Sequence, residues 1–324
     1  MIFLFLLFSL YLIETESLTI CSFNVRSFGE AKCAKPEVMA LIVKIVSRCD
    51  LMLLMEIKDN KDKAIHSLMD LLNSQTEMKD EYSLIISKRL GRNTYKEQYA
   101  FIYRNQLVSV KETYQYHDMQ PGDPDAFSRE PFIVWFKAPK TDVQNGFKFL
   151  LSQVTISLLF HDEEVKEFVI IPQHTTPEAA VREIDELYDV HLDVKEKWKS
   201  ENFIFMGDFN AGCSYVPKKH WKNIRLRSNP EFIWLIGDND DTTIKSTTNC
   251  AYDRIVVHGD KMMKSIVPDS ASVFDFIKEF GLTETQALEV SDHFPVQVQI
   301  KKAKNFVDKT KSFFKKIKDK ISGK

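Results

Sequence analysis

The stretch Phe203-Ile204-Phe205-Met206-Gly207-Asp208-Phe209-Asn210 is a continuous apolar run that ends in a carboxylate and an amide. A short run of large apolar residues is typical of a strand buried on both faces, with a buried helical segment as the alternative. Such a strand would carry Asp208 to the edge of a sheet. Because an unpartnered buried carboxylate is costly, we expect Asp208 to face solvent, or to bind a cation or hydrogen-bond donors. A simple strand-end turn is the alternative interpretation of this octapeptide.

Similar segments recur along the chain, each with a polar residue beside an apolar run. The predicted strands with such neighbours are 20–26 with Asn24, 51–56 with Glu56, 99–103 after Glu97, 168–173 before His174, 252–257 with Asp253, and 294–300 after Asp292 and His293. Helical spacing of apolar residues predicts amphipathic helices over 38–48, 64–73 and 177–199. Strands that alternate with helices predict an α/β fold, and the absence of an internal linker or repeat in the sequence favours one domain.

We expect these polar residues to meet at one edge of the sheet, together with Asp208 and Asn210. Oxygen ligands without a cysteine–histidine cluster favour a hard ion such as Mg²⁺ or Ca²⁺ over Zn²⁺. Two histidines, each with a carboxylate partner, suit proton transfers on the two sides of a phosphodiester displacement. For His174 the alternative is a structural role, which is the commoner role of a single histidine at a strand end.

The two ends of the chain stand out from an ordinary globular composition of 324 residues, 44% hydrophobic and 28% charged. The apolar run over 1–13 predicts a signal peptide over residues 1–17, with a signal anchor as the alternative. Residues 301–324 carry ten lysines against two aspartates, so that residues 18–300 hold about −8 of a net charge of −2. The apolar residues of this tail share one helical face, which predicts a basic amphipathic helix for anionic lipid or DNA. A disordered tail is the alternative.

Five cysteines leave at least one without a partner in the chain. Cys21 and Cys49 lie in or beside apolar runs, and we interpret them as small buried side chains. Cys213 follows the central strand and Cys250 precedes the segment with Asp253, so a disulfide between them would join two loops at the edge of the sheet. Closing that loop would stabilise the fold by roughly 4 kcal/mol before strain.

Five segments resemble the deoxyribonuclease I family and follow the order of that family: CSFNVR at 21–26, LGRNTYKEQY at 90–99, GDFNA at 207–211, NCAYDRIV at 249–256 and SDHFP at 291–295. The resemblance covers roughly residues 18–300. It implies a four-layer α/β/β/α sandwich of the endonuclease/exonuclease/phosphatase type, with two mixed sheets packed face to face. It also implies endonucleolytic cleavage of DNA to 5′-phosphate and 3′-hydroxyl ends with divalent cations. The basic tail, and the segment 117–127 without a small cysteine loop, are most similar to the gamma branch of the family.

The resemblance also implies roles for individual residues. The acid–base pair is His174 and His293, supported by Glu97 and Asp253 respectively. The residues around the metal and the scissile phosphate are Asn24, Glu56, Asp208, Asn210 and Asp292. The residues that contact the DNA backbone or minor groove are Arg26, Lys58, Asn93, Tyr95, Arg129 and Tyr252. Structural calcium is implied at Asp118, Asp125, Glu130 and Asp241. The implied cofactors are therefore Mg²⁺ and Ca²⁺, with Mn²⁺ able to substitute.

Three features depart from deoxyribonuclease I. Lys58 stands where that enzyme has an arginine, and a lysine does not make the bidentate contacts of an arginine. An insertion over about 144–165 replaces a short turn, and its apolar content is best explained by a retained intron or a mispredicted exon. Ile86 and Phe132 are larger than the residues that meet actin, so we expect actin binding to be weak or absent. Nanomolar inhibition by monomeric actin would contradict this expectation.

The implied partner is double-stranded DNA or chromatin, either extracellular or from apoptotic cells. We expect a monomer secreted through the endoplasmic reticulum, with a nuclear pool in apoptosis. Abasic-site endonucleases, inositol-phosphate phosphatases and sphingomyelinases are alternatives on the same scaffold, but they would lack the segment 92–95. An inactive module that binds DNA or membranes through the tail is the alternative outside the enzymes.

Overall fold

The computed structural model describes residues 17–75, 81–119, 125–138 and 165–301. The predicted signal peptide up to residue 16, the insertion up to residue 164 and the tail beyond residue 301 therefore lie outside the described residues. Val165, at the end of the insertion, is buried. Among the helices in the described ranges, none has the length and hydrophobicity needed to span a membrane.

The elements follow the chain in a largely alternating order. The described residues contain the strands β1 (Ser17–Phe28), β2 (Leu51–Ile57), β3 (Tyr82–Ile86), β4 (Gln98–Arg104), β5 (Ser109–Gln115), β6 (Phe132–Lys137), β7 (Glu167–Pro172), β8 (Phe203–Asp208), β9 (Phe232–Trp234), β10 (Asp253–His258), β11 (Ser272–Val273) and β12 (Val296–Lys301). The α-helices are α1 (Glu30–Cys33), α2 (Pro36–Ser47), α3 (Lys63–Ser74), α4 (Ala180–Trp198), α5 (Arg225–Ser228), α6 (Asp260–Ser265), α7 (Phe276–Phe280) and α8 (Glu284–Val290). Within the described ranges, the predicted strands and helices are present with small shifts at their ends.

The strands form two mixed sheets of six. The first sheet has the order β11-β12-β1-β2-β4-β3, and the second has the order β5-β6-β7-β8-β10-β9. Each sheet contains one parallel pair, β1 with β2 and β7 with β8, beside antiparallel neighbours. A parallel pair needs a crossover connection, which α2 and α4 provide. The prediction of an α/β fold with two mixed sheets is confirmed.

The central strand β8 shows how the layers are built. Its residues Ile204 and Met206 lie in the core between the two sheets, whereas Phe203 and Phe205 lie in the core beneath α4. The alternation follows from the two-residue period of a strand, and both faces are apolar because both are covered. On the opposite side, α2 and α3 cover the first sheet. The arrangement is the predicted four-layer α/β/β/α sandwich.

Two disulfides join described residues. The Cys213–Cys250 bond confirms the predicted link between two edge loops. The sequence left the bonding state of Cys21 and Cys49 open, and the two sulfurs form the second disulfide across 28 residues of sequence. The physical reason is the parallel pairing of β1 with β2, which returns the chain after α2 to the side of Cys21. Both cysteines are nevertheless buried, as expected. Cys33 is the free cysteine of the described ranges.

A buried histidine pair lies in the aromatic core under α4. The rings of His191 and His258 are 4.4 Å apart, and Phe203 and Phe232 pack around them. Neither Nδ1 atom has a hydrogen-bond partner. Burial, together with the neighbouring His258, lowers the pKa of His191 to about 3. The fold therefore holds His191 in its neutral form.

We predict that this pair makes the fold sensitive to acid. Because the pKa of His191 is lower in the folded chain than in the unfolded chain, its contribution to stability is present above the unfolded pKa and is lost as the pH falls. Between neutral pH and about pH 4.5 this loss should be on the order of 2 kcal/mol. The His191→Leu variant should lose correspondingly less stability over that interval, measured by denaturant unfolding. The exposed-histidine variant His66→Gln is the control, and equal losses in all three proteins would refute the prediction.

Candidate active site

Asp208 lies at the centre of the candidate site. It is the last residue of β8 and only 2% exposed. Its Oδ1 accepts a hydrogen bond of 3.0 Å from the Asn210 backbone N–H. Its Oδ2 accepts one of 3.0 Å from Asn24 Nδ2 and lies 3.5 Å from Nε2 of both His174 and His293. One carboxylate oxygen therefore brings together the two predicted histidines and a predicted metal ligand.

The first imidazole is supported from the other sheet. His174 follows β7 of the second sheet, and its Nδ1 lies 2.5 Å from Glu97 Oε1, immediately before β4 of the first sheet. The His174 backbone N–H donates to the Tyr99 hydroxyl at 2.9 Å, which fixes the turn. Burial opposes protonation of His174, but the Glu97 carboxylate outweighs it and raises the pKa of the ring. The predicted pairing of His174 with Glu97 is present.

The second imidazole repeats this arrangement with the sheets exchanged. His293 precedes β12 of the first sheet, and its Nδ1 lies 2.7 Å from Asp253 Oδ2 at the start of β10 in the second sheet. Burial alone would lower the pKa of His293, but Asp253 and then Asp208 raise it well above its ordinary value. A histidine held by a carboxylate at Nδ1 presents Nε2 to the site, as proton transfer requires. The pairing of His293 with Asp253 is therefore also present.

Two predicted metal ligands, Asn24 and Glu56, lie beside Asp208. Asn24 Nδ2 donates to Glu56 Oε1 at 3.1 Å as well as to Asp208, so its amide joins the two acids. Glu56 Oε2 accepts a 2.9 Å hydrogen bond from the Ser27 N–H and lies 3.4 Å from Lys58 Nζ. Burial would raise the pKa of Glu56, but the charges of His174 and Lys58 and these hydrogen bonds lower it to about 2. Glu56 is thus held ionised.

The other two predicted ligands lie on different sides of this cluster. Asn210 has a left-handed backbone and donates from Nδ2 to the Thr175 carbonyl at 3.0 Å, directly after His174. Asp292 lies at the rim, with Oδ2 3.6 Å from Arg26 Nε. Ligand atoms of Asp208, Asp253 and His293 also lie within 4.8 Å of one another. The site is therefore rich in oxygen ligands around Asp208, with Asp292 at its edge.

Four predicted DNA-contacting residues, Arg26, Lys58, Tyr95 and Tyr252, lie beside this site. Arg26 and Asn93 are exposed, and Tyr95 is 53% exposed with Lys58 Nζ 4.0 Å from its ring centre. Tyr252 stacks on Tyr215 at 5.2 Å between ring centres and lies 6.3 Å from the His293 ring. These side chains offer cations, an amide and aromatic faces toward solvent.

Arg129 has a different position from the other predicted DNA contacts. It is buried beneath the site, where Nε and Nη2 donate to the carbonyls of His174 and Thr175 at 2.9 Å. Its Nε also lies 2.9 Å from Glu97 Oε1. Arg129 therefore supports the first imidazole from below and balances the charge of its carboxylate partner.

The predicted calcium positions lie in two separate loops. Asp118 Oδ2 accepts a 2.9 Å hydrogen bond from the Phe127 N–H, and the Asp125 N–H donates to the Asp118 carbonyl at 3.4 Å. Glu130 lies at the end of the same loop and is partly buried. Asp241 belongs to the loop tied by Cys213–Cys250, where its Oδ1 accepts from the Cys250 N–H at 3.1 Å. Asp241 therefore belongs to a different loop from Asp118, Asp125 and Glu130.

Sequence reasoning missed several residues that hold this geometry. The Ser291 hydroxyl donates to the Asn24 carbonyl at 2.6 Å and accepts from the His293 N–H at 3.1 Å. Thr242 Oγ1 accepts from the Asp253 N–H at 3.1 Å. Ser291 adjoins the Asp-His pair and could have been suspected for that reason. Thr242 lies eleven residues from Asp253 in a polar loop and gave no such signal.

The pairing of His174 with Glu97 makes a measurable prediction. The Glu97→Gln variant keeps the side-chain shape but removes the charge that raises the pKa of His174, so that pKa should fall. An NMR titration of the histidine ring signals in metal-free protein measures the shift. Glu167→Gln is the control, because Glu167 pairs with Lys111 and belongs to the opposite end of β7. An unchanged or higher pKa of His174 in Glu97→Gln would show that Glu97 does not control this ring.

Comparison with known proteins places this geometry in a family. The model of the endonuclease/exonuclease/phosphatase family matches residues 21–293. Deoxyribonuclease gamma of Rattus norvegicus is 55% identical over 317 residues, covering 98% of this chain and 95% of the relative. Deoxyribonuclease gamma of Homo sapiens is 56% identical, covering 94% of each chain. Deoxyribonuclease-1 of Sus scrofa is 46% identical, covering 89% and 93%.

Solved structures agree on the fold. An endonuclease/exonuclease/phosphatase protein of Bacteroides vulgatus superposes with a TM-score of 0.54 at 14% identity, covering 89% of this chain and 99% of that one. A humanized D. rerio TDP2 gives a TM-score of 0.53 at 13% identity, covering 87% and 98%. With the sequence relatives, these comparisons show that the chain belongs to the endonuclease/exonuclease/phosphatase family and, within it, to the deoxyribonuclease I family.

Proposed function

We propose that this protein is a secreted, divalent-metal-dependent endodeoxyribonuclease that leaves 5′-phosphate and 3′-hydroxyl ends. One observation carries the proposal: His174 Nε2 and His293 Nε2 each lie 3.5 Å from the same oxygen of Asp208, and each ring is backed by a buried carboxylate. This geometry suits one proton acceptor and one proton donor around a single phosphate. The deoxyribonuclease names of relatives at 46–56% identity support DNA as the substrate.

In the proposed reaction, one imidazole accepts one proton and the other imidazole donates one proton. One ring, in its neutral form, accepts a proton from the attacking water while the water oxygen bonds to phosphorus. The other ring, protonated, donates its proton to O3′ while the P–O3′ bond breaks. Glu97 and Asp253 hold the rings with Nε2 directed into the site and stabilise their charged forms. Proton exchange with water then restores both histidines.

The donor set fits a hard divalent cation. Glu56 and Asp208 both point an oxygen at the Asn24 amide, and the Asp208 carboxylate is almost completely buried. A cation would offset the cost of burying this charge. Asn24, Glu56, Asp208 and Asn210 would hold it, with Asp292 at the rim. When bound, the ion would stabilise the negative charge that develops on the phosphate.

The rim supports a polymeric nucleic acid over a small phosphate ester. Arg26, Lys58 and Tyr252 lie beside Asp292, Glu56 and His293 respectively, and Tyr95 lies beside Lys58. Asn93 is exposed two residues before Tyr95. Cations and amides suit backbone phosphates, and an exposed tyrosine suits a groove. The segment 92–95 favours this reading over abasic-site, inositol-phosphate and sphingomyelin hydrolysis.

Secretion is part of the proposal. The apolar run over 1–13 supports entry into the endoplasmic reticulum, and the two disulfides suit an oxidising compartment. The lysine-rich tail supports contact with anionic lipid or with DNA. Extracellular and apoptotic DNA, free or in chromatin, are the proposed substrates.

The central prediction concerns the two histidines. Because each imidazole carries one proton transfer, His174→Ala and His293→Ala should each lower the rate of plasmid nicking by about 10²–10⁴-fold. His66→Ala, which alters an exposed histidine on α3, should leave the rate unchanged. Full activity of either site variant would require the mechanism to be abandoned.

Metal removal gives an independent prediction. EDTA should abolish nicking by the wild-type protein, and Mg²⁺ with Ca²⁺ should restore it because oxygen ligands prefer such ions. Mn²⁺ should substitute for Mg²⁺. The relevant measurement is conversion of supercoiled plasmid to open circles after dialysis against each ion. Nicking that survives EDTA would refute metal dependence, and no nicking under any condition would favour an inactive binding module.

A further inference from the structure

Lys32 makes three hydrogen bonds that no proposed catalytic step uses. It lies in the short helix α1, and its Nζ donates to the carbonyls of Val25 at 2.7 Å, Arg26 at 2.6 Å and Val290 at 2.6 Å. An ammonium group has three N–H donors and no acceptor. Backbone oxygens therefore occupy the full hydrogen-bonding capacity of this side chain.

The three carbonyls belong to two segments that lead into the site. Val25 and Arg26 follow Asn24 directly at the end of β1, and Val290 is the last residue of α8, three residues before His293. These segments are more than 260 residues apart in sequence. A single charged group thus joins the chain beside a predicted metal ligand to the chain beside a catalytic imidazole.

The first of these segments has a conformation that needs support. Arg26 and Ser27 both have positive φ, at 42° and 53°, which L side chains rarely adopt. Such backbone persists when its surroundings determine it. The Lys32 ammonium donates hydrogen bonds to the carbonyls of Val25 and Arg26, and the Ser27 N–H donates one to the Glu56 carboxylate. The Lys32 ammonium and the Glu56 carboxylate therefore both hold the turn at Arg26 and Ser27.

A second link runs parallel to the first. The Ser291 hydroxyl donates to the Asn24 carbonyl at 2.6 Å and accepts from the His293 N–H. Asn24 and His293 in turn both approach Asp208 Oδ2, at 3.0 and 3.5 Å. Any shift of α8 relative to β1 would therefore change the distances around Asp208.

Lys32 is not an ordinary solvated surface lysine. Burial, and then the neighbouring Arg26, lower its pKa to about 8 despite the attraction of nearby carboxylates. The neighbouring Lys35 contrasts with it: Lys35 is about half exposed and pairs with the side chain of Glu289. The two lysines lie near the same shallow cavity of about 320 Å³, but only Lys32 bonds the backbone of both segments.

We propose that Lys32 is a positioning residue that clamps the end of β1 to the end of α8 and thereby sets Asn24 and His293 around Asp208. It touches neither the substrate nor the reacting atoms. The inference rests on the proposed nuclease function, because its effect is expressed through the two groups that serve that reaction.

The test compares Lys32→Met with Lys35→Met in the full chain. Lys32→Met keeps most of the side-chain bulk but removes the three donors, so kcat for DNA cleavage should fall by about 10²-fold, the loss expected for a small displacement of catalytic groups. The KM for DNA should stay close to that of the wild type, since the rim is intact. The Mg²⁺ concentration for half-maximal activity should rise, because Asn24 loses one of the two links that join its strand to the end of α8. Lys35→Met should match the wild type in all three quantities.

Circular dichroism at the assay temperature shows whether each variant is folded. If Lys32→Met does not fold, Lys32→Gln retains a shorter donor and should show the same fall in kcat to a smaller degree. A normal kcat in a folded variant would overturn the proposal. A higher KM with unchanged kcat would also overturn it, because Lys32 would then act through DNA contacts of Arg26. Inactivity of the wild type would count against the nuclease function instead.

Discussion

The burial of one carboxylate, that of Asp208, is the constraint on which the site depends. A buried carboxylate is costly unless donors or cations surround it. Here the Asn24 amide, the Asn210 N–H and two imidazoles converge on it. Each of these groups is itself fixed by further contacts, so the charge is stabilised only when the whole constellation is assembled. The groups that stabilise the buried Asp208 carboxylate are also the groups that can transfer protons and bind an ion.

Both histidine–carboxylate pairs cross from one sheet to the other. His174 belongs to the second sheet and its partner Glu97 to the first, whereas His293 belongs to the first and its partner Asp253 to the second. Asn24 and Asp208 cross the same boundary. The apolar core between the sheets, which includes Ile204 and Met206, therefore sets the geometry of the polar edge. Packing and chemistry are linked because the pairs His174–Glu97, His293–Asp253 and Asn24–Asp208 each join the two sheets.

The sequence predicted the parts of this structure that have local signals. Apolar runs located β2, β7, β8 and β10, and helical spacing located α2, α3 and α4. The two-residue strand β11 and the polar edge strand β5 were not predicted, because they lack a continuous apolar run. The three-residue strand β9 was not predicted either, although its residues are apolar. The catalytic roles proposed for His174, His293, Glu97 and Asp253 came from the family resemblance. Contacts such as Cys21–Cys49 or Ser291 with Asn24 depend on which strands become neighbours, and that information is not local.

The pairing of β1 with β12 joins the first and last described strands, from Ser17 opposite Lys301 to Ser22 opposite Val296. His293 immediately precedes the last of these strands, so one of the two imidazoles reaches its place only after nearly the whole chain has left the ribosome. A chain that stops before residue 293 consequently lacks the contact between His293 and Asp253. The position of His293 therefore depends on the pairing of the two ends of the described chain.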